Sequence, residues 1–166
     1  SKVKKLDEEA DIILIDTGAG VSDNVMKMIL AADETILIIT PEPTSIMDAY
    51  ALVKLAITQN ENIRLRLVVN KAENIFEAKQ ILDKFSNAAR RFLKVELDKL
   101  GYICDDIHVC RSIKQQTPYT ICYPRSNASR QVQSIADKFN KLSDEDLMSR
   151  AGGLATYIQR LVNIFK

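Results

Sequence analysis

The stretch "DIILIDTGAGVSD", residues 11–23, joins an uninterrupted apolar run to an aspartate and two glycines. Consecutive aliphatic side chains at positions 12–15 are typical of a parallel strand that is buried on both faces. Because ligands in open α/β sheets lie at the carboxyl ends of strands, Asp16 is a candidate Mg²⁺ ligand, directly or through water. Gly18 and Gly20 lack a Cβ and would let backbone N–H groups approach a phosphate. A simpler interpretation also fits, in which a strand ends in a glycine turn and Asp16 is a solvated cap.

Length and composition limit the class of protein. A chain of 166 residues fits one domain, or a large piece of one, and can bury a core. The formal net charge of +1 gives no indication of a nucleic-acid or polyanion partner. Three cysteines and no recognisable signal peptide predict a reducing cytoplasm, and no apolar run is long enough to span a bilayer.

Beyond residue 23, helical and strand patterns alternate along the chain. The predicted strands cover residues 12–15, 35–40, 65–69 and a short segment of "LGYICDD" at 100–106. A helix capped by Ser22 precedes the second strand, and a helix with a Ser45–Asp48 capping box follows it. Two later helices carry the apolar stripes Ile75, Ala78, Leu82, Phe85, Ala89, Phe92 and Val132, Ile135, Ala136, Phe139. Such alternation predicts an α/β fold with a doubly wound, mostly parallel sheet and helices on both faces.

The phosphate-binding loop that should accompany such a site is missing from the sequence. No G-x-x-x-x-G-K-[ST] motif occurs in the 166 residues. In addition, the chain begins almost at once with a strand of central type, which is unusual for a doubly wound sheet. Either the protein is not a nucleotide enzyme, or the chain is the carboxyl-terminal part of one.

Four segments occur in the order seen in one protein family. They are "DIILIDTGAG" at 11–20, "TPEPTSIMDAYALVK" at 40–54, "LVVNKA" at 67–72 and "RSNASRQVQSIA" at 125–136. With them the sequence resembles the MinD/ParA ATPases that carry a deviant Walker A loop, and most of all the FlhG, or FleN/YlxH, group of flagellar number and placement regulators. The resemblance covers about residues 10–142 and the extreme tail. It implies a MinD-like P-loop NTPase fold, of which this chain would be the carboxyl-terminal part.

The resemblance also implies roles for single residues. Asp16 matches the Walker B aspartate that holds the Mg²⁺ hydration shell, and Gly18 to Gly20 match the turn that senses the γ-phosphate. Asn70 matches the asparagine that hydrogen-bonds the adenine edge, while Pro41 begins a loop near the nucleotide and the dimer interface. The implied activity is binding and slow hydrolysis of ATP. Because the family's catalytic lysines lie in the phosphate loop, the 166 residues alone are expected to be inactive.

The implied partners follow from the same family. They are a second subunit in an ATP-dependent homodimer, the inner face of the cytoplasmic membrane, and flagellar assembly proteins or a signal-recognition-type GTPase. A cell-division role is an alternative to the flagellar one. The other class of function is a non-catalytic interaction module of the same fold that docks a partner protein or membrane. Nucleic acid is not expected, because Arg90, Arg91 and Lys94 fit a solvated helical face better than a DNA-binding surface.

Three features depart from the family pattern or suggest other ligands. Cys104 stands where family members place a proline that helps to frame the adenine. The string "NKAE" at 70–73 approximates the guanine-binding signature N-K-x-D, but Glu73 is one methylene too long, so a guanine-nucleotide relative is a minor alternative. Zinc is disfavoured, because the sequence lacks the paired spacing of structural zinc sites at its candidate ligands, which are Cys104, His108, Cys110 and Cys122.

The sequence divides into an ATPase-domain part, residues 1–142, and a helical tail, residues 143–166. After Gly152 and Gly153, residues 154–166 form a predicted amphipathic helix. Its apolar face would contain Leu154, Tyr157, Ile158, Leu161, Val162, Ile164 and Phe165. Its opposite face would contain Thr156, Gln159, Arg160, Asn163 and Lys166. The apolar face suits a membrane surface, as the family resemblance implies, or packing on its own domain or on a second subunit.

Overall fold

Three parallel strands form the sheet in the computed structural model, which describes residues 9–146 and 153–164. Their order is β1-β2-β3, with bounds Thr35–Ile39, Leu65–Ala72 and Asp98–Cys104. Thr35 of β1 is opposite Leu65 of β2, and Arg66 of β2 is opposite Asp98 of β3. All three strands therefore end at the same edge of the sheet, as predicted from the alternation of strands and helices.

Helices connect the strands and cover both faces of the sheet. They are α1 Asp23–Ala31, α2 Pro43–Gln59, α3 Ile75–Ala88, α4 Ile107–Lys114, α5 Tyr119–Cys122, α6 Asn127–Asp146 and α7 Leu154–Ile164. A π-helical segment, Ala89–Leu93, extends α3. Helices α1, α2 and α3 share one core with alternate side chains of β1 and β2, whereas α6 packs on β3 from the other face. The predicted α/β class, with a parallel sheet between helical layers, is confirmed.

Close packing of α6 on β3 depends on a glycine in the strand. A Cβ on Gly101 would lie 2.8 Å from Cγ1 of Ile135 in α6. Of the apolar residues predicted to face inward from α6, Val132, Ile135 and Phe139 are half-buried, while Ala136 is exposed. The α6 helix therefore buries a narrower stripe than its sequence pattern predicted, and it continues to Asp146, past the predicted boundary at residue 142.

One ion pair is buried between β1 and β2. Arg66 Nε lies 2.8 Å from Oε2 of Glu34, and the side chains are only 2% and 7% exposed. Arg66 also donates from Nη2 to Oε1 of Glu34 at 2.9 Å, and its Cζ lies 4.9 Å from the centre of the Phe139 ring. The pair thus links the start of β1 to β2 and to α6.

The predicted start signals of two helices have different outcomes. Ser22 caps α1, because its side chain accepts a hydrogen bond from the Val25 N–H, as predicted. The predicted capping box of α2 is wrong. That helix begins at Pro43, whose fixed φ suits a first helical position, and Ser45 Oγ instead accepts the Thr40 N–H at 3.0 Å.

The prediction of a buried strand at residues 12–15 is also wrong. This segment has no regular secondary structure, and its four aliphatic side chains are between 41% and 78% exposed. A parallel strand forms only where neighbours offer a hydrogen-bonding ladder, and the part of the chain that the structure describes supplies no ladder partner here. The apolar run consequently lies on the surface.

The predicted core stripe of the long helix holds only in its middle. Ala78, Leu82, Phe85 and Ala89 are buried, but Ile75 is 46% and Phe92 is 65% exposed. Ile75 is the first residue of α3 and lies at the sheet edge. Phe92 lies in the π-helical segment, whose wider turn rotates later residues away from the direction that a 3.6-residue period predicts.

The tail helix α7 packs against α1. Its half-buried apolar residues are Leu154, Tyr157, Leu161 and Ile164. Arg160 Nη1 donates to the Ala31 carbonyl oxygen at 3.1 Å and to Oδ1 of Asp33 at 2.8 Å. The predicted separation of an apolar and a polar face is therefore incomplete, because Arg160 contacts the domain while Ile158 and Val162 remain exposed.

Gly152, Phe165 and Lys166 lie outside the described residues. No helix within the described ranges is long and apolar enough to cross a bilayer.

Candidate functional site

A cleft opens where β1, β2 and β3 end. Its volume is about 420 Å³, and its lining residues are Pro41, Glu42, Lys71, Glu73, Glu77 and Asp105. These residues come from the end of β2, from the loops that follow the three strands and from the first turn of α3. The carboxyl edge of a parallel sheet is the usual ligand-binding position in α/β proteins.

A bulge near the end of β2 brings a lysine into the cleft. The pairing of β2 with β3 shifts register between Asn70 and Ala72, and Lys71 adopts a left-handed backbone conformation with φ of 58°. The side chain of Asn70 stabilises this conformation, because its Oδ1 accepts the Lys71 N–H at 2.9 Å. As a result, the side chain of Lys71 is exposed at the cleft although the residue belongs to β2.

Side-chain hydrogen bonds fix the loop that follows β1. Ser45 Oγ accepts the Thr40 N–H at 3.0 Å, and Thr40 Oγ1 donates to Oε2 of Glu42 at 3.0 Å. Across the cleft, the Glu73 N–H donates to Oε2 of Glu77 at 2.7 Å. Both walls of the cleft are thus held by local hydrogen bonds.

A second cleft of about 390 Å³ continues from the first through Asp105. Its other lining residues are Asp106, Ile107, His108, Arg125, Ser126 and Asn127. Asp106 organises this region, since its Oδ1 accepts the His108 N–H at 2.9 Å and lies 2.7 Å from Nδ1 of the His108 ring. Its Oδ2 accepts the Ala128 N–H at 3.1 Å. One carboxylate therefore caps both α4 and α6.

Two opposing effects act on the pKa of Asp106. Burial raises the pKa of this carboxyl, but the hydrogen bonds from the His108 and Ala128 backbone N–H groups and from the His108 ring outweigh it. The pKa of Asp106 is consequently below its usual value.

Replacing Asp106 with alanine is expected to lower the free energy of unfolding at pH 7 by about 2 kcal/mol, because α4 loses its N-cap and the Ala128 N–H in the first turn of α6 loses its acceptor. Since the folded pKa is depressed, this contribution is present at neutral pH and is lost as the pH falls below about 4. Urea unfolding between pH 3 and 7 measures it. A difference between parent and variant that grows towards low pH would contradict the assignment.

The structure brings together only some of the predicted site residues. Pro41 lines the first cleft, and Asn70 lies beside it and supports Lys71. Asp16 and Gly18 line neither cleft and are exposed. Gly20 is exposed as well, with φ of 95°, a conformation that favours glycine.

The sequence patterns assign no site role to Lys71, Asp105 or Asp106. Lys71 lies within the string "NKAE", which resembles a guanine-binding signature and does not predict the cleft that the structure shows. Asp106 carries a recognisable signal, because an aspartate directly before the apolar start of α4 is typical of an N-cap. Asp105 carries no local signal, since its position depends on how the three strands align.

The candidate zinc ligands are not gathered into a cluster in the described part of the chain. No group of three or more His, Cys, Asp or Glu side chains in residues 9–146 and 153–164 could hold a metal ion, and the three cysteines are free thiols. The Cys104 N–H donates to Oε1 of Gln131 at 2.9 Å. A proline at this position has no N–H and could not make that contact.

The charge of the first cleft indicates which part of a nucleotide it suits. Four carboxylates surround the single lysine among its lining residues. Like charges repel, so this arrangement disfavours a triphosphate but accepts an uncharged base that offers N–H donors. The residues present therefore fit the base end of a nucleotide, and do not form a phosphate cradle.

The chain is similar in sequence to curated proteins named as an antiactivator, a flagellum site-determining protein and a septum site-determining protein. It is 32% identical over 157 residues to the antiactivator FleN of Pseudomonas aeruginosa, covering 95% of this chain and 55% of FleN. It is 27% identical over 154 residues to the flagellum site-determining protein YlxH of Helicobacter pylori, covering 92% of this chain and 52% of YlxH. The chain is 29% identical over 135 residues to the septum site-determining protein MinD of Bacillus subtilis, covering 81% of this chain and 48% of that MinD. The chain thus spans about half the length of these relatives, and no family model matches it.

Two solved MinD structures have a fold similar to that of this chain. The cell division ATPase MinD of Pyrococcus furiosus superposes with a TM-score of 0.65 at 21% identity, covering 84% of this chain and 56% of that one. The cell division protein MinD of Aquifex aeolicus superposes with a TM-score of 0.66 at 19% identity, covering 84% of this chain and 58% of that one. At these identities the superpositions establish the fold.

Proposed function

Because the chain belongs to the MinD/ParA family, we propose that it forms the base-binding and tail-bearing part of an ATPase switch for flagellar number or placement. The name of YlxH, a flagellum site-determining protein, supports the flagellar role, while that of MinD, a septum site-determining protein, represents the cell-division alternative. The observation that carries the proposal is the cleft at the carboxyl edge, where Pro41 and Lys71 lie within family-like segments.

The base end of the site is assigned to Asn70, Pro41 and the carboxylates around Lys71. Asn70 Oδ1 is engaged by the Lys71 N–H, which leaves its amide N–H groups to donate to a ring nitrogen of adenine. Pro41 contributes a rigid apolar wall to the cleft. These groups orient the base and leave the phosphates to point away from the acidic side chains.

The metal end is assigned to Asp16, with Gly18 and Gly20 next to the γ-phosphate. Asp16 is exposed and offers the hard oxygen donor that Mg²⁺ prefers, so its chemistry fits a water-mediated contact with the ion. When bound, Mg²⁺ neutralises charge on the phosphates. In the described part of the chain, no neighbouring atom lies within 4 Å of where a Cβ would stand on Gly18 or Gly20, which leaves space for a phosphate group to approach.

The open side of the sheet is where we expect the rest of the site. One edge of β1 pairs with β2, while Ile38 is 60% exposed on the face that α6 leaves uncovered. The apolar run at 12–15 is also exposed. The relatives are almost twice as long as this chain, so we infer that a phosphate-binding half covers these surfaces in the full-length protein. In every experiment on the full-length protein, these 166 residues are joined to that half.

Membrane association would require α7 to leave its position on α1. Leu154, Tyr157, Leu161 and Ile164 are half-buried against the domain and belong to the same face that would enter a lipid surface. One short helix binds a membrane weakly, whereas an ATP-dependent homodimer presents two helices at high effective concentration. Flagellar assembly proteins or a signal-recognition-type GTPase are the protein partners that we propose for this dimer.

Co-sedimentation of the full-length protein with anionic vesicles tests this switch. With ATP and Mg²⁺, Leu161→Glu is expected to reduce the bound fraction at least tenfold, because a carboxylate replaces an apolar contact in the lipid interface. Gln159→Glu adds the same charge on the exposed, polar side of α7 and is the matched control. Equal sedimentation of both variants and the parent, with or without ATP, would refute a nucleotide-driven tail anchor.

A non-catalytic interaction module is the alternative function. The docked position of α7, with Ile158 and Val162 exposed, favours it, because these side chains offer a small apolar strip to a partner protein without any movement of the tail. An ATP-independent complex of the full-length protein with a flagellar partner, unchanged by Asp16→Ala, would support this alternative. ATP-dependent vesicle binding would support the switch.

A further inference from the structure

A cluster of cations surrounds an exposed aromatic ring where α3 ends. We call Arg90, Arg91, Phe92 and Lys94 the basic–aromatic patch. The π-helical segment Ala89–Leu93 contains the first three, and Lys94 ends it in a left-handed conformation with φ of 58°. Phe92 is 65% exposed, and the Arg91 Cζ lies 5.3 Å from the centre of its ring.

No carboxylate in the described part of the chain lies within 4.0 Å of the charged groups of Arg90, Arg91 or Lys94. The side-chain partner of Arg90 is neutral, namely Oδ1 of Asn87 at 3.0 Å. Other cations do have acidic partners, as in the Lys99–Asp83 pair at 2.6 Å. The patch therefore presents three uncompensated positive charges and a large apolar ring to solvent.

The patch lies at the same edge of the sheet as the anchored end of α7. The π-helical segment precedes β3, and Asp33, which binds Arg160, precedes β1, so both are at the amino edge. Contacts run from α7 to α1, from α1 to α2, and from α2 to the π-helical segment. Neighbouring helices pack 8–10 Å apart, so the patch and α7 are separated by roughly 30 Å or less. Both features therefore lie at the amino edge of the same helical layer.

We propose that the basic–aromatic patch is a second contact with an anionic phospholipid bilayer, which would face the amino edge of the sheet. This inference rests on the proposed membrane association of α7. Arg and Lys are attracted to lipid phosphates, and an exposed Phe suits the headgroup boundary. Binding of an amphipathic helix to a membrane grows with electrostatic attraction to anionic lipids, so a basic contact nearby would strengthen the weak anchor. A nucleic acid is a poorer match, because duplex DNA gives an exposed Phe no apolar phase to enter, and single strands are bound by grooves with several stacking aromatics, of which this patch has one.

The experiment measures partition of the full-length protein, with ATP and Mg²⁺, onto phosphatidylcholine vesicles with and without about 30% phosphatidylserine. The test variant is the triple substitution Arg90→Gln, Arg91→Gln, Lys94→Gln. The control removes the same charge elsewhere, from the exposed Arg111 and Lys114 of α4 and the exposed Arg130 of α6. Each cation near an anionic surface contributes about fivefold, so the test variant is expected to lose at least tenfold in partition onto anionic vesicles. The control triple should lose less than about threefold.

A second variant, Phe92→Ala, removes the exposed ring without removing charge, and it is expected to weaken binding to both vesicle types. Equal losses in the test and control triples would overturn the proposal, because net charge alone would explain them. Loss with Leu161→Glu but not with the patch variants would also overturn it, while leaving the tail anchor intact. Loss with the patch variants but not with Leu161→Glu would support the patch and contradict the tail. If the parent protein binds single-stranded DNA through the patch and binds neutral and anionic vesicles equally, the proposal is overturned in favour of a nucleic-acid partner.

Discussion

Glu34→Ala is expected to lower the free energy of unfolding by about 3–5 kcal/mol. Arg66 is only 2% exposed, and its Nε lies 2.8 Å from the Glu34 carboxylate. Removing that carboxylate breaks a buried ion pair, which is far more costly than losing an exposed one. Chemical unfolding of the parent and the variant at pH 7 measures the difference.

The exposed Lys99–Asp83 pair supplies the control for this experiment. Its two side chains are 40% and 63% exposed, so Asp83→Ala should cost less than about 1 kcal/mol. A second variant, Glu34→Leu with Arg66→Met, replaces both charges by apolar groups and should recover most of the loss. If Glu34→Ala costs no more than Asp83→Ala, the Glu34–Arg66 pair does not hold β1, β2 and α6 together.

Asp16→Ala should reduce ATP turnover by the full-length protein at least tenfold. The proposed role of the carboxylate is to order the Mg²⁺ hydration shell, and stabilisation of charge on the phosphates is usually the largest catalytic contribution. The change should not unfold the protein, because Asp16 is exposed. Steady-state phosphate release is the measurement, with circular dichroism as the check on folding.

Asp11→Ala is the matched control, since Asp11 is also exposed and lies at the start of the same apolar run. Its turnover should equal that of the parent protein. Unchanged turnover in a folded Asp16→Ala variant would mean that Asp16 is only a solvated cap, which is the simpler interpretation of the sequence.

The three strands of the sheet were predictable because each carries its own apolar pattern between turn signals. The run at 12–15 has the same pattern but no strand, because strand formation also needs a neighbour with free hydrogen-bonding groups. No local pattern reports the presence of that neighbour. Phe92 is a second example, since the π-helical segment changes the period that placed it in the core.

The candidate site was predictable only where a local motif marked it. Pro41 and Asn70 follow recognisable strand ends, and they lie at or beside the cleft. Lys71 reaches the cleft through a bulge between β2 and β3, which depends on pairing between distant segments. The tail pattern likewise predicted an amphipathic helix, but the contact of Arg160 with Asp33 joins residues far apart in sequence.

Calorimetric titration of ATP with Mg²⁺ into these 166 residues and into the full-length protein tests the central claim most directly. The acidic cleft offers a base-binding surface without a phosphate cradle, so the 166 residues alone should give no heat above dilution. The full-length protein should bind with micromolar affinity. Micromolar binding by the 166 residues alone, or no binding by the full-length protein, would contradict the account.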